Sequence, residues 1–247
     1  RCRSPQPPPM STVIDSLRTA VALAAGGDPT LWRTALLSLQ VSGTACLIGA
    51  GFGITLGAAL AVSRFPGQHA LIVIVNTLLG MPSVVVGLLV YLLLSRQGPL
   101  GQYGILFTPA AMVVAQSVLV VPLIAALTRR QLLASLAEGG DQLQSLGAGA
   151  PATALLLLVH ERFGLLTVLL TAFGRAIAEV GAVMIVGGNI DGVTRVMTTT
   201  IALETSKGDL PLALALGLIL LSVTGVVNVA IGLLQWRGTR TPLQAFG

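Results

Sequence analysis

Long apolar runs alternate with short polar breaks along this chain, and the runs set the elements. Five of them are long enough to cross a bilayer as helix, which takes about 20 residues. They lie within 31–63, 70–94, 108–128, 164–187 and 211–235. The first exceeds what a straight crossing needs, so its start projects beyond the bilayer or the helix tilts. Pro82 in "GMPSVVVG" and Pro122 in "VVPLIAAL" predict kinks in the second and third.

Shorter segments flank the runs. In "STVIDSLRTAVALAA", residues 11–25, Ile14, Leu17, Val21 and Ala24 share one helical face while Asp15, Arg18 and Thr19 lie off it. This predicts an amphipathic helix lying in the membrane interface over 11–27, closed by "GGDP". The proline-rich opening "RCRSPQPPPM" reads as a disordered extension over 1–10, with Met10 as the true start and residues 1–9 outside the fold. No apolar region follows Arg3, as a signal peptide would require.

Between the third and fourth runs, 129–163 reads "RRQLLASLAEGGDQLQSLGAGAPATALLLLVHERF". Its apolar stretch is too short to cross, so two short helices joined by a glycine turn are expected. Residues 188–210 are threonine-rich, but Val193, Val196, Ile201 and Leu203 predict that they dip back against the bundle. Residues 238–247 form a tail.

Composition strengthens the membrane reading. Charged residues are 9% of the 247 and hydrophobic ones 54%, against roughly 25% charged in a soluble domain. The net charge of +5 comes from scattered single cations, with no basic block for nucleic acid. Arg64, Arg129, Arg130, Arg162, Arg237 and Arg240 lie on one side of the five-span pattern, and Arg33, Arg96, Arg195 and Lys207 on the other. The excess places the N-terminus outside and the C-terminus in the cytoplasm.

Several chemistries are excluded. "GAGFGITLG", residues 49–57, contains G-x-G, but no acid occurs between Asp28 and Glu138 to complete a dinucleotide site. Gly43, Gly49, Gly53 and Gly57 read instead as small positions that let helices approach. No Walker A sequence, H-E-x-x-H or G-x-S-x-G occurs, so any ATP must be bound by another polypeptide. His69 and His160 are isolated and Cys2 and Cys46 form no ligand pattern, so no metal and no cofactor are expected.

One apolar run carries two charges. In "FGRAIAEVGAVMIVGGN", residues 173–189, Arg175 and Glu179 stand four apart and share one helical face. Counting from Arg162 puts Arg175 about 20 Å along, near mid-membrane. Small residues, Gly174, Ala178, Gly181 and Ala182, permit tight contact beside them. The pair is either a neutralised packing contact or the lining of a path or gate, with Gly181 beside it.

"DQLQSLGAG", residues 141–149, resembles the cytoplasmic EAA loop of ABC importer permeases, a helix-turn that docks into the ATPase subunit. Asp141 takes the acidic place, Gln142 and Leu143 the pair of small residues, and Gly147 the glycine, followed by Ala148 and Gly149. Glutamine and leucine depart from the small pair, and the later leucine-proline element is missing, with Leu158-Val159 near its place. "GRAIAEVGAVMIVGGNI" and "TRVMTTTIALETSKGD" resemble permeases for molybdate, sulfate and especially tungstate. The resemblance implies an all-α integral membrane protein of type I importer architecture, five spans, and a homodimer. It also implies a pair of cytoplasmic ATPases, an extracytoplasmic oxyanion-binding protein, and a place in a bacterial or archaeal plasma membrane. The chain itself would be a translocation subunit and not an enzyme. Two rivals differ in class: a secondary transporter or channel using Arg175–Glu179 as an ion relay, and a membrane enzyme with Glu179 as general acid or base.

Overall fold

The computed structural model describes residues 29–145 and 147–238, with Arg18, Thr19, Val21, Ala22 and Gly26 before them. Of the interfacial helix predicted over 11–27, Arg18, Thr19, Val21 and Ala22 are helical and exposed. Apart from Gly26, the rest of that segment, the extension over 1–10 and the tail beyond Gly238 lie outside the described residues.

Every regular element among the described residues is helical. In chain order they are α1 (Pro29–Val62), α2 (Gln68–Leu79), α3 (Ser83–Leu94), a 3-10 turn (Gly101–Tyr103), α4 (Pro109–Ser145), α5 (Ala150–His160), α6 (Arg162–Ile177), α7 (Gly181–Gly187), α8 (Met197–Lys207) and α9 (Leu210–Gly238). Three of them, α1, α4 and α9, are long and apolar enough to cross a membrane singly, and the number rises to five if each of two bent pairs counts as one span. The chain is a multi-pass membrane protein.

The central contact joins α1 to α4, and glycine makes it possible. A Cβ on Gly49 would lie 2.8 Å from Val120, on Gly53 2.7 Å from Ile124, and on Gly57 2.5 Å from the Ala125 carbonyl oxygen. No other residue fits at such separations, so the two backbones meet along this stripe. The side-chain contacts advance by four residues on both helices, Gly49 to Val120, Gly53 to Ile124 and Gly57 to Thr128, so the helices run parallel. Gly43 differs from expectation: nothing lies within 4 Å of its Cβ position, because it lies off the face that meets α4, where Val41 already packs with Ala111 and Met112.

Because α1 and α4 are parallel, the intervening chain must return along their length. The return is not the kinked helix expected at Pro82. Helices α2 and α3, of 12 residues each, meet at 104° across the break at 80–82. Each arm is about 18 Å long, too short to cross alone. The start of α2 is tied to the end of α1 by Gln68 Nε2, which donates to the Leu60 carbonyl at 2.9 Å. The end of α3 reaches the start of α4, where the Tyr91 and Phe107 rings are 6.1 Å apart.

Helix α4 also departs from expectation. It passes Pro122 without ending and continues beyond Arg129-Arg130 to Ser145, for 37 residues. The first of the two short helices expected in 129–163 is therefore the extension of the third span. The sequence there, "QLLASLAEGGDQLQS", is mostly strong helix formers, which carry the helix through despite Gly139-Gly140.

The fourth run is preceded by a bend and interrupted once. Helix α5 meets α6 at 75° around Glu161, and α6 stops at Ile177 before α7 begins at Gly181. Helix α6 is antiparallel to α4, since Glu161 lies beside Gln131 and Ser135 and Ala176 beside Gln116. The segment expected to dip back does so: Val196, Met197, Thr198, Thr199, Thr200 and Glu204 of α8 and its approach are buried, although Val193 is exposed. Two of the threonine hydroxyls are satisfied locally, Thr199 and Thr200 donating to the Val196 carbonyl.

Candidate functional site

Glu179 stands in the gap between α6 and α7, past the end of the helix that was expected to carry it. Its Oε1 accepts the backbone N–H groups of Val180 at 3.1 Å and Gly181 at 2.9 Å. Its Oε2 meets Arg175 Nη1 at 3.3 Å. The carboxylate therefore caps the start of α7, where helical N–H groups would otherwise lack partners. On the other side of the gap, the Ala176 carbonyl accepts from Gln116 Nε2 at 3.1 Å, and the Glu179 carbonyl accepts from Thr198 Oγ1 at 2.9 Å. Side chains from α4 and α8 thus replace the missing helical bonds, as broken helices at membrane depth require.

The two partners of the ion pair are unlike. The Glu179 side chain is 5% exposed and that of Arg175 is 60% exposed. A buried, hydrogen-bonded carboxylate supports a guanidinium that still faces outward. Gly181 serves packing: a Cβ there would lie 2.8 Å from Val84 and 2.9 Å from Ser83 Oγ, at the start of α3. A Cβ on Gly87 of α3 would likewise lie 2.7 Å from the Ala182 Cα. The two broken regions of the molecule, 80–82 and 178–180, consequently sit together against α4. Between them lies a small cavity of about 50 Å³, bordered by Leu78, Met81, Gln116, Arg175 and Glu179. Gln116 Oε1 is buried without a hydrogen-bond partner. Both Glu179 oxygens are engaged and no second carboxylate or histidine borders the cavity, which gives general acid–base chemistry no partner group there. Among the described residues no His, Cys, Asp and Glu cluster could hold a metal.

The second region is the turn that ends α4. Gly147 has φ +73°, and the Ala148 N–H donates to the Leu143 carbonyl at 3.1 Å. This is the glycine-terminated helix end in which the left-handed residue closes the last turn. Nothing lies within 4 Å of a Cβ on Gly147, so conformation and not crowding calls for glycine. Gln142, Gly147 and Gly149 are exposed and Ala148 half-buried. Leu143 packs half-buried against the cluster of Ala58, Leu132 and Leu157. Asp141 lies on the last turns of α4, and its side chain is outside the described residues. Pro151 opens α5 immediately afterwards, a position where its missing N–H costs nothing.

One residue here was not singled out from sequence. Glu161, at the α5–α6 bend, accepts from Gln131 Nε2 at 2.7 Å and from Ser135 Oγ, both on α4. It pins the bend to the helix that carries the Gly147 turn. Its sequence signal, a lone acid after an apolar stretch, is shared with many loop residues.

Comparison with known proteins covers nearly the whole chain. It is 42% identical over 231 residues to the tungstate uptake system permease protein TupB of Peptoclostridium acidaminophilum, which is 92% of this chain and 99% of that protein. It is 40% identical over 197 residues to a probable anion ABC transporter permease protein of Haloferax volcanii, 78% of this chain and 85% of that protein. The molybdenum transport system permease protein ModB of Escherichia coli is 29% identical over 188 residues, 72% of this chain and 82% of that protein. No family model matches.

Proposed function

This chain belongs to the anion ABC transporter permeases, and from that premise we propose that it is the membrane-spanning subunit of an ATP-driven tungstate importer. The observation that carries the substrate is the 42% identity to a tungstate uptake permease across 92% of the chain, against 29% to the molybdenum permease. ATP hydrolysis belongs to a separate cytoplasmic subunit, since no phosphate-binding loop is present, and delivery of the anion to a separate extracytoplasmic binding protein. Two copies of the chain enclose the path.

In this reading each copy crosses five times: α1, the bent pair α2–α3, α4, the broken run through α6 and α7, and α9. Helices α1 and α4 run outward to inward, which puts the Gly147 turn in the cytoplasm with the C-terminus and the start of α1 outside. Asp141, Gln142, Leu143, Gly147, Ala148 and Gly149 form the element that docks on the ATPase. The exposure of Gln142, Gly147 and Gly149 supports this. Arg175, supported by Glu179 and seated beside Gly181, borders the path. An outward-facing guanidinium suits a dianion, and the two helix breaks beside it supply the flexible segments that an alternating path needs. The ion-relay alternative is weakened by the engagement of both Glu179 oxygens.

The test is reconstitution of the chain with the ATPase and binding protein encoded beside it. ATP-dependent accumulation of tungstate in proteoliposomes, in preference to molybdate and sulfate, is the expected result. Accumulation of another oxyanion would overturn the substrate, and failure of any ATPase to co-purify would overturn the importer.

A further inference from the structure

At the end of the molecule opposite the Gly147 turn, a cavity of about 170 Å³ opens between the first turns of α1 and the loop 189–195. Thr30, Arg33 and Thr34 line it from α1, and Asp191 and Arg195 from the loop. The two walls are tied together, because the Met197 N–H donates to Ser38 Oγ of α1 at 2.8 Å. The loop is also fixed internally. Thr194 Oγ1 donates to the Gly187 carbonyl at 2.6 Å and accepts the Ile190 N–H at 2.9 Å. Arg195 is thus presented from a built frame.

The lining is rich in donors. Arg195 Nη1 pairs with Asp191 at 3.1 Å, but the acid is 71% exposed and the arginine 23%. Arg195 Nε is buried and has no hydrogen-bond partner. A buried donor without an acceptor calls for a ligand or a water that supplies one. Arg33 brings a second guanidinium against the single carboxylate, and the cavity opens beside the N-terminal turn of the 34-residue α1, whose dipole favours anions. Guanidinium forks match oxygens borne on one central atom. At about 30 Å³ per water-sized group, the volume accommodates a four-oxygen anion.

We infer that this cavity is an outer binding site for a tetrahedral oxyanion, held by Arg33 and Arg195, with Asp191 as the carboxylate that the anion displaces. The site rests on the oxyanion-import reading and deepens it: it is a station between arrival at the outer surface and entry to the path beside Arg175. Asp191 keeps the station weak, so that the anion can leave it inward.

The test uses the full chain in lipid nanodiscs with Cys2→Ser, Cys46→Ala and Thr34→Cys. The rate at which neutral N-ethylmaleimide labels position 34 is measured with sodium tungstate and with sodium chloride at equal ionic strength. Tungstate should slow labelling several-fold relative to chloride. Arg33→Gln, on an exposed side chain, and Arg195→Gln should each abolish the protection, and Asp191→Asn should give it at lower tungstate concentration. Equal labelling in the two salts, or protection unaffected by both arginine variants, would overturn the site. Protection by sulfate but not tungstate would keep the site and overturn the substrate. ATP-driven tungstate uptake without any protection would do the reverse.

Discussion

Replacing Glu179 separates two accounts of the charge pair. In Glu179→Ala, the Val180 and Gly181 N–H groups that now meet Oε1 at 3.1 and 2.9 Å lose their acceptor. Each stranded buried donor costs about 1–3 kcal/mol, so together about 2–6 kcal/mol. The link to Arg175, a guanidinium 60% exposed, is worth only about 0–1 kcal/mol. The cap therefore outweighs the ion pair. Glu179→Gln keeps an acceptor oxygen but loses charge assistance, and neutral bonds are about half as strong, so it falls between. The expected order of stability is wild type and Arg175→Gln near each other, then Glu179→Gln, then Glu179→Ala. The assay is the temperature at which each variant, purified in detergent, loses helical circular dichroism and monodispersity. If Arg175→Gln proves as damaging as Glu179→Ala, the pair and not the cap holds this region, and the reasoning fails. Uptake then isolates function: Arg175→Gln with intact stability and lost tungstate transport would place the guanidinium on the path.

Three further variants probe other features. Gly147→Ala forces a left-handed backbone at a cost of about 1–2 kcal/mol, whereas Gly147→Asn tolerates it better; co-purification with the ATPase should survive asparagine and weaken with alanine, and the opposite order would mean that surface bulk governs docking. Gly57→Val, with the Ala125 carbonyl oxygen 2.5 Å from its Cβ, should abolish a monodisperse size-exclusion peak, while Gly43→Val, in open space, should preserve it. Glu161→Ala frees Gln131 and Ser135 from the α5–α6 bend, so the amount of tungstate moved per ATP hydrolysed should fall; an unchanged ratio would show the contact to be structural only.

What the sequence made legible was whatever depends on local pattern. The apolar runs, the glycine stripe from Gly49 to Gly57, the turn at Gly147 and the return of 188–210 against the bundle follow from spacing and residue type. What it hid depends on partners distant in the chain. Pro82 signalled a disturbance, but the 104° bend exists because α3 turns to pack against Ala182 through Gly87. The end of α6 has no proline or polar run to mark it; hydrophobic periodicity continues through Val180 to Val186 while Gln116 and Thr198 take over the backbone bonds. The extension of α4 was obscured for the opposite reason, since Arg129-Arg130 marks the departure from apolar sequence but not from helix. Arg195 drew notice only as a loop charge, because its neighbours Arg33 and Thr34 lie some 160 positions earlier.

Helix α4 is continuous from Pro109 to Ser145 with Pro122 inside it, and its closest approach to α1, where a Cβ on Gly57 would lie 2.5 Å from the Ala125 carbonyl oxygen, works as a fulcrum. The arm from Ala125 to Ser145 spans 20 residues, about 30 Å, and the arm back to Pro109 16 residues, about 24 Å. Each degree of tilt about that point moves the Gly147 turn by about 0.5 Å and the Pro109 end by about 0.4 Å in the opposite direction. Val41 packs with Ala111 and Met112 towards one end and Ala58 with Leu132 towards the other, so the lever rocks against packed side chains. A push delivered at the turn is therefore geared down slightly in distance, and up in force, by the time it reaches the far end of the bundle.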